Sequence, residues 1–268
     1  MICPKCNKPL TLINKTYKCL NNHSYDVSKE GYCNLLLSKT NSGDNKDLVN
    51  ARINFLSKDF YQNLALHLIR IYKTYYNNKN VTICDCGCGT GYYTKKLATA
   101  LLNNTFYGID ISKEAIKYCA KNDKNSHYIV ASNQKIPFEN NYFDSTFHIF
   151  SPVFEESSNK VLKDDGIMIV VTPGKMHLYE LKEMLYSNPY FNKIDDVNYS
   201  LFNKIDHQEI SYKIDLSYDD FINLLKMTPY YYKTNKQDIL KISFTNTISI
   251  TIDFIISIYN KKTVKPEI

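Results

Sequence analysis

A chain of 268 residues, 44% of them hydrophobic, has room for one α/β domain with small additions and enough apolar material for its core. No run of 18 or more apolar residues occurs, so no membrane span is expected. The net charge of +6 rests on 31 Lys against only 2 Arg; with 29 Asn and no Trp this looks like drift toward AT-rich codons, and the charge is mild support for a nucleic-acid partner.

The first 23 residues hold Cys3, Cys6, Cys19 and His23, spaced Cys-x2-Cys-x12-Cys-x3-His. Thiolate and imidazole are the ligands a structural Zn2+ prefers, and a pair two residues apart suits a knuckle turn completed by a second pair from a short hairpin. A piece this short cannot fold on apolar burial alone, and one structural zinc would supply the missing stability. Residues 25–37 alternate enough to form a strand or two around Gly31, and residues 38–47 read as a polar mobile loop. Residues 48–77 read as a helix carrying Ile53, Phe55, Leu56, Phe60, Leu64, Leu68 and Ile71. The expected organisation is a zinc-binding RNA-recognition module at 1–37, a loop and connecting helix at 38–80, and the main domain with its C-terminal substrate-side elements at 81–268.

That domain opens on Val81-Thr82-Ile83-Cys84, a β-branched run that reads as a buried strand. Asp85-Cys86-Gly87-Cys88-Gly89-Thr90-Gly91 follows, and Tyr92 to Ala98 reads as a helix start. Strand, glycine loop and helix form the nucleotide-cradling arrangement of an open α/β sheet, with glycines admitting a close ligand and free N–H groups facing it. A second strand, Thr105 to Ser112, carries Asp110 about 20 residues after the loop, where an acid accepts from a ribose hydroxyl. Further strands are expected at 128–131, 145–150 and, after the turn Lys163-Asp164-Asp165-Gly166, at 167–172, stopped by Pro173-Gly174. The last ninety residues hold at least one helix and two strands, ending in the alternating run 243–258. The eight Cys do not look like a disulfide framework, and free thiols with bound zinc suit a reducing cytoplasm.

Asp85-x-Gly87-x-Gly89-x-Gly91 followed by Gly108-Ile109-Asp110 resembles motifs I and II of class I, Rossmann-like S-adenosylmethionine-dependent methyltransferases. An acid at the loop's head suits a sulfonium ligand with an amino group better than a pyrophosphate. A dinucleotide enzyme, or glycines that only make turns, are the alternatives.

The order of the parts is more specific. The Cys3/Cys6/Cys19/His23 module, then Lys29-Glu30-Gly31-Tyr32-x-Asn34-Leu35-Leu36, the Gly91-Tyr92-Tyr93-Thr94 segment, Ile136-Pro137-Phe138, Thr172-Pro173-Gly174-x-x-His177-Leu178 and Met227-Thr228-Pro229 together resemble the bacterial RlmA family of 23S ribosomal RNA guanine-N1 methyltransferases. The resemblance runs from residue 3 to at least residue 254. It implies an enzyme that takes S-adenosylmethionine and one zinc, and methylates guanine N1 in a hairpin loop of 23S rRNA; it also suggests a homodimer. It places the methionine end of the cofactor on Gly89, Thr90 and Gly91, near Asp85 and Gly87, and the ribose on Asp110. Tyr61 and His177 match positions that contact the cofactor in the family; a core aromatic and a capping His are the plain alternatives. Ser132 stands where such enzymes often carry an acid for the adenine amino group, so its hydroxyl or the Asn133 amide would substitute. The N1 proton calls for an acceptor, and Glu155 and Glu156 are the candidates beyond the fourth strand, set against the plain reading of acids at a helix start. Tyr230-Tyr231-Tyr232 is a candidate stacking surface for the target base. Lys5, Lys8, Lys15, Lys18 and Lys29, with Lys39 and Lys46 of the loop, would neutralise phosphates. A small-molecule methyltransferase using its ribbon as a dimer contact, and a non-catalytic RNA-binding protein, are the rival functions.

Overall fold

The computed structural model describes residues 1–37, 46–77, 79–194 and 197–262. Most of the expected 38–47 loop, including Lys39, lies outside the described residues. The elements in chain order are β1 (Thr11–Ile13), β2 (Thr16–Lys18), β3 (Ser24–Asp26), β4 (Cys33–Asn34), α1 (Lys46–Leu56), α2 (Gln62–Tyr76), β5 (Thr82–Cys86), α3 (Tyr92–Ala100), β6 (Thr105–Asp110), α4 (Lys113–Asn122) and β7 (Ser126–Val130). They continue with β8 (Phe143–Ile149), α5 (Glu155–Val161), β9 (Leu162–Pro173), α6 (Tyr179–Leu185), β10 (Phe202–Leu216), α7 (Tyr218–Lys226), α8 (Tyr230–Lys233), α9 (Lys236–Lys241) and β11 (Ile248–Lys261).

β1 to β3 form a three-stranded antiparallel sheet of their own. The remaining strands make one mixed sheet in the order β10-β11-β9-β8-β5-β6-β7-β4. Its pairs from β9 to β4 are parallel, while β11 runs antiparallel to both β9 and β10. β5 and β8 are neighbours although β6 and β7 intervene in sequence, so the strand order reverses there and a crevice opens at the carboxyl ends, the usual ligand position in open α/β sheets. Ile83, Cys84, Asp85 and Cys86 of β5 are all buried because helices cover both faces of the parallel part.

Three differences from the sequence reading have physical causes. The helix expected over 48–77 is two helices. Asp59 takes a left-handed backbone (φ 61), and its carboxylate accepts from Tyr92 Oη at 3.0 Å and Lys96 Nζ at 2.9 Å, so the bend at 57–61 is pinned to α3. The turn expected at 163–166 is already strand, since β9 starts at Leu162 and Lys163 binds Asp144 of β8 at 2.7 Å. The end of the expected zinc module belongs to the main sheet: Cys33 and Asn34 pair with Ile129 and Val130, and the Leu35 N–H donates to Val130 O at 2.9 Å.

Candidate metal centre and cofactor cleft

The metal centre is built on two turns. Asn7 and Asn22 adopt left-handed backbone, which lets the chain reverse tightly at each ligand pair, and Asn14 with Lys15 does the same in the turn that joins β1 to β2. Cys3 Sγ lies 3.4 Å from His23 Nδ1, Cys19 Sγ 3.5 Å from the same atom, and Cys6 Sγ 3.6 Å from Cys19 Sγ. All four ligand atoms fall within 4.8 Å of one another. Tetrahedral bonds of about 2.3 Å to sulfur and 2.0–2.1 Å to nitrogen place ligand atoms roughly 3.5–3.8 Å apart, so the three short separations fit edges of a zinc tetrahedron. Tyr25 Oη sits 3.2 Å from Cys3 Sγ, an outer contact that orients a thiolate ligand.

The ribbon leans on the wall of the crevice. The Ile2 N–H donates to Pro137 O at 2.9 Å and Lys135 Nζ donates to Pro4 O at 3.3 Å, so residues on both sides of Cys3 touch the segment that follows Ser132 and Asn133. Lys5, Lys8, Lys15, Lys18 and Lys29 are all exposed.

The crevice encloses a cavity of about 470 Å3, within the range of small-ligand sites. Asp85, Gly87, Gly89, Thr90, Asp110, Ser132, Asn133 and Tyr61, all singled out from the sequence, line it. Asp85 is 2% exposed, and Thr94 Oγ1 donates to its Oδ2 at 2.5 Å. Burial holds its carboxyl well above the usual carboxylate range against that hydrogen bond, a balance that a bound cation would reverse. The Gly89 N–H donates to Asp110 Oδ2 at 2.9 Å and the Ser112 N–H to Oδ1 at 2.8 Å, so Asp110 fixes the loop while facing the cavity. Gly91 opens α3 with φ 73. A Cβ there would meet Cys119 Sγ at 2.8 Å and Tyr128 Oη at 3.0 Å, whereas a Cβ on Gly89 would meet nothing closer than the Arg52 side chain at 3.6 Å. Gly91 therefore packs into the fold and Gly89 faces the ligand space. Ser132 Oγ accepts from the Gln134 N–H at 3.2 Å and caps a short 3-10 turn that sets the buried Asn133. A buried acid, an open glycine backbone and polar groups at the far end match a ligand with a cationic head, a ribose and a base, which is the shape of S-adenosylmethionine.

Other expected residues sit outside the cavity lining. His177 is 7% exposed and lies behind the wall, its ring 6.0 Å from Phe150 and nearly parallel to it, 4.9 Å from Phe254 and 6.3 Å from Tyr61. Its Nδ1 accepts from the Asp253 N–H at 3.2 Å. Burial, with Lys182 adding to it, pushes the imidazole down to about 3, so it is neutral. Glu155 accepts from Ser200 Oγ at 3.1 Å and from the Leu201 N–H, tying α5 to the start of β10, and Glu156 beside it is exposed. Both acids stand in the first turn of α5 and neither lines the cavity. Tyr230 Oη donates to Asn192 Oδ1 at 3.3 Å and its ring covers Lys182; none of the Tyr230–Tyr232 run lines the cavity.

Sequence reasoning missed Arg52, Phe150, Phe154 and Met227, all in the lining. Phe150 has φ 53 and is 46% exposed; Phe154 is 37% exposed. Large aromatics exposed at a cavity rim, one on strained backbone, are the mark of a binding surface. Their signal was the Phe-Ser-Pro-Val-Phe run at 150–154; that of Arg52 was being one of two Arg among 31 Lys.

Comparison with known proteins agrees with this geometry. Residues 77–238 match the family described as Methyltransferase domain, and residues 1–40 match the one described as RlmA, N-terminal. A 23S rRNA (guanine(748)-N(1))-methyltransferase of Streptomyces fradiae is 28% identical over 186 residues, 68% of this chain and 66% of that protein. YxjB of Bacillus subtilis (strain 168), provisionally named a 23S rRNA (guanine-N(1)-)-methyltransferase, is 29% identical over 198 residues, 69% of this chain and 68% of that protein. A malonyl-[acyl-carrier protein] O-methyltransferase of Buchnera aphidicola subsp. Baizongia pistaciae is 27% identical over 177 residues, 60% of this chain and 71% of that protein. The methyltransferase domain by itself thus leaves the methyl acceptor open, and the N-terminal ribbon narrows it.

Proposed function

The chain belongs to the methyltransferase-domain family and carries the RlmA N-terminal zinc ribbon, and from this we propose that it transfers methyl from S-adenosylmethionine to N1 of a guanine in a hairpin loop of 23S rRNA. The observation that carries the reading is the docking of the Cys3/Cys6/Cys19/His23 ribbon on the wall of the Asp85–Gly91 cavity. It puts the five exposed lysines of the ribbon on the same body as the cleft, so an RNA held by its phosphates there is within reach of the chemistry. The names of the Streptomyces and Bacillus relatives support guanine N1 of 23S rRNA as the acceptor.

Bound S-adenosylmethionine supplies a methyl already activated on a sulfonium, so the protein's task is mainly alignment. Asp85 and the Gly89–Thr90 backbone would hold the methionine end, with Gly91 setting the turn behind them, Asp110 the ribose hydroxyls, and Ser132 with Asn133 the adenine edge. Phe150 and Phe154 frame the side open to a splayed base. Tyr61 shapes the wall directly, and neutral His177 does so by packing behind Phe150. A zinc held by Cys3, Cys6, Cys19 and His23 would have four protein ligands and so a structural rather than catalytic part. No helix among the described residues is long and apolar enough to cross a membrane. A homodimer gripping one hairpin completes the reading.

The test is to map 23S rRNA from strains with and without the gene. A methyl on guanine N1 blocks Watson–Crick pairing and stops reverse transcriptase. A stop at a hairpin-loop guanine that disappears with the gene is expected. Identical stop patterns in both strains, with S-adenosylmethionine still bound by the protein, would point to a small-molecule acceptor.

A further inference from the structure

Three lysines of α4, Lys113, Lys117 and Lys121, follow one another at intervals of four residues, and all are exposed. Residues so spaced share one helix face, so the three ammonium groups form a stripe about 12 Å long. Like charges at this spacing repel, and Lys113 stands at the first helical position, where the helix dipole disfavours a cation. The stripe therefore works against the helix that carries it. Lys46, at the start of α1, lines the same groove as Lys117 and Lys121, a space of about 230 Å3 whose lining also includes Val49, Ile53 and Tyr118. Among the described residues of that lining, Glu114 alone opposes the three lysines.

Lys117 Nζ lies 3.9 Å from Glu30 Oε1, a long surface pair with the Lys117 side chain 49% exposed, which leaves the ammonium able to meet a second anion. Lys124 Nζ donates to Glu30 O at 3.1 Å. These contacts fasten residue 30 to α4 and bring the exposed Lys29 beside the stripe. Among the described residues Lys113 and Lys121 have no ion pair. The groove also adjoins the chemistry: α1 turns Val49 and Ile53 to the groove and Arg52 and Leu56 to the cofactor cavity, and Ile111, just before α4, lines that cavity too. An RNA strand that leaves the cavity across α1 thus meets the stripe. Lysines are point charges on flexible stems, which suit the repeated phosphates of a backbone.

We propose that the face formed by Lys46, Lys113, Lys117 and Lys121 is a second phosphate-binding track, which holds the RNA strand beside the target loop in addition to the lysines of the ribbon. The inference rests on the rRNA reading above. It is tested on full-length, zinc-loaded protein by measuring, over a series of salt concentrations, binding of the hairpin fragment that carries the mapped guanine, with calorimetric titration of S-adenosylmethionine alongside. Lys117→Gln with Lys121→Gln should lower the slope of log affinity against log salt by about 2, roughly 1 for each lost phosphate contact. The pair should raise KM for the RNA with kcat little changed, and leave cofactor affinity as it was. Lys117→Arg with Lys121→Arg, which keeps the charge, should keep the slope. Lys73→Gln with Lys79→Gln removes the same charge from the end of α2 and should change the slope far less. Lys121→Gln alone carries the test, at a fall of about 1, if the double variant loosens the ribbon. A wild-type slope in the glutamine variants, or an equal fall in the Lys73 and Lys79 pair, overturns the inference. So does a fall in cofactor affinity matching that for RNA, which would make the lysines a brace of the fold. So does lost binding to phosphatidylserine vesicles with the RNA slope intact, which would turn the face toward a membrane surface. If wild type binds S-adenosylmethionine but not the fragment, the rRNA reading itself falls.

Discussion

Two glycines of one loop should respond in opposite ways to the same substitution. Gly91→Ala places a methyl 2.8 Å from Cys119 Sγ and 3.0 Å from Tyr128 Oη, at φ 73. The left-handed backbone costs an L-residue roughly 1–2 kcal/mol, and overpacking a filled site adds about 1–3 kcal/mol. The sum of roughly 2–5 kcal/mol is a large share of the ~5–15 kcal/mol that holds a domain together, and lowers Tm by roughly 4–20 °C. Gly89→Ala also sits at positive φ (52), but its methyl has only the flexible Arg52 side chain at 3.6 Å. It should lose only the roughly 1–2 kcal/mol of backbone strain. Its main effect should fall on cofactor affinity, because the methyl enters ligand space; Gly89→Val should abolish binding. Urea unfolding with and without S-adenosylmethionine, together with calorimetric titration, separates the two. A Gly91→Ala protein as stable as wild type, or a Gly89→Ala protein with full cofactor affinity, would refute the assignment of inward and outward faces to this loop.

Asp110→Ala should weaken cofactor binding by about 1–3 kcal/mol, the scale of a lost charge-assisted hydrogen bond, and should release the Gly89 and Ser112 N–H groups to faster hydrogen exchange. Purified protein should contain about one zinc per chain, and Cys6→Ser should lose it and loosen residues 1–27 while β4 stays paired; a zinc-free wild type by metal analysis would contradict the tetrahedron. Deleting residues 1–37 removes β4 from the sheet edge beside Ser132 and Asn133, so it should lower cofactor affinity as well as RNA binding, whereas Cys6→Ser should spare the first. His177, at 6.5 when unfolded and about 3 when folded, takes up protons more readily in the unfolded chain, so stability should fall by about 1.4 kcal/mol per pH unit from pH 6.5 down to about 3; His177→Gln should flatten that part of an acid-unfolding curve.

What could be read from the sequence was local chemistry at fixed spacing. The Cys3-to-His23 quartet, the Asp85-to-Gly91 loop between a strand and a helix, and Asp110 at the end of the next strand each depend on neighbours within about 20 residues, and all appear where expected. What escaped depends on distant partners. Cys33 and Asn34 alternate like any short strand, and nothing local says that they pair with β7 across almost a hundred residues rather than with the ribbon. Asp59 breaks the long helix because Tyr92 and Lys96 hold its carboxylate from α3. Glu155 occupies a plausible place for a proton acceptor, but the chain returning at Ser200 and Leu201 takes up its oxygens. Arg52 reaches the cavity only because α1 folds over the glycine loop.

The central claim is that this chain joins a zinc ribbon to a methyltransferase cleft in order to methylate guanine N1 of 23S rRNA. It is tested most directly by incubating zinc-loaded protein and methyl-labelled S-adenosylmethionine with 23S rRNA from a strain lacking the gene, then digesting the RNA and identifying the labelled nucleoside by mass spectrometry. The account predicts label in 1-methylguanosine, about one per rRNA, confined to a hairpin-loop fragment and absent when Gly89→Val protein is used. Label in another nucleoside, or none in RNA from a protein that binds the cofactor tightly, would contradict it.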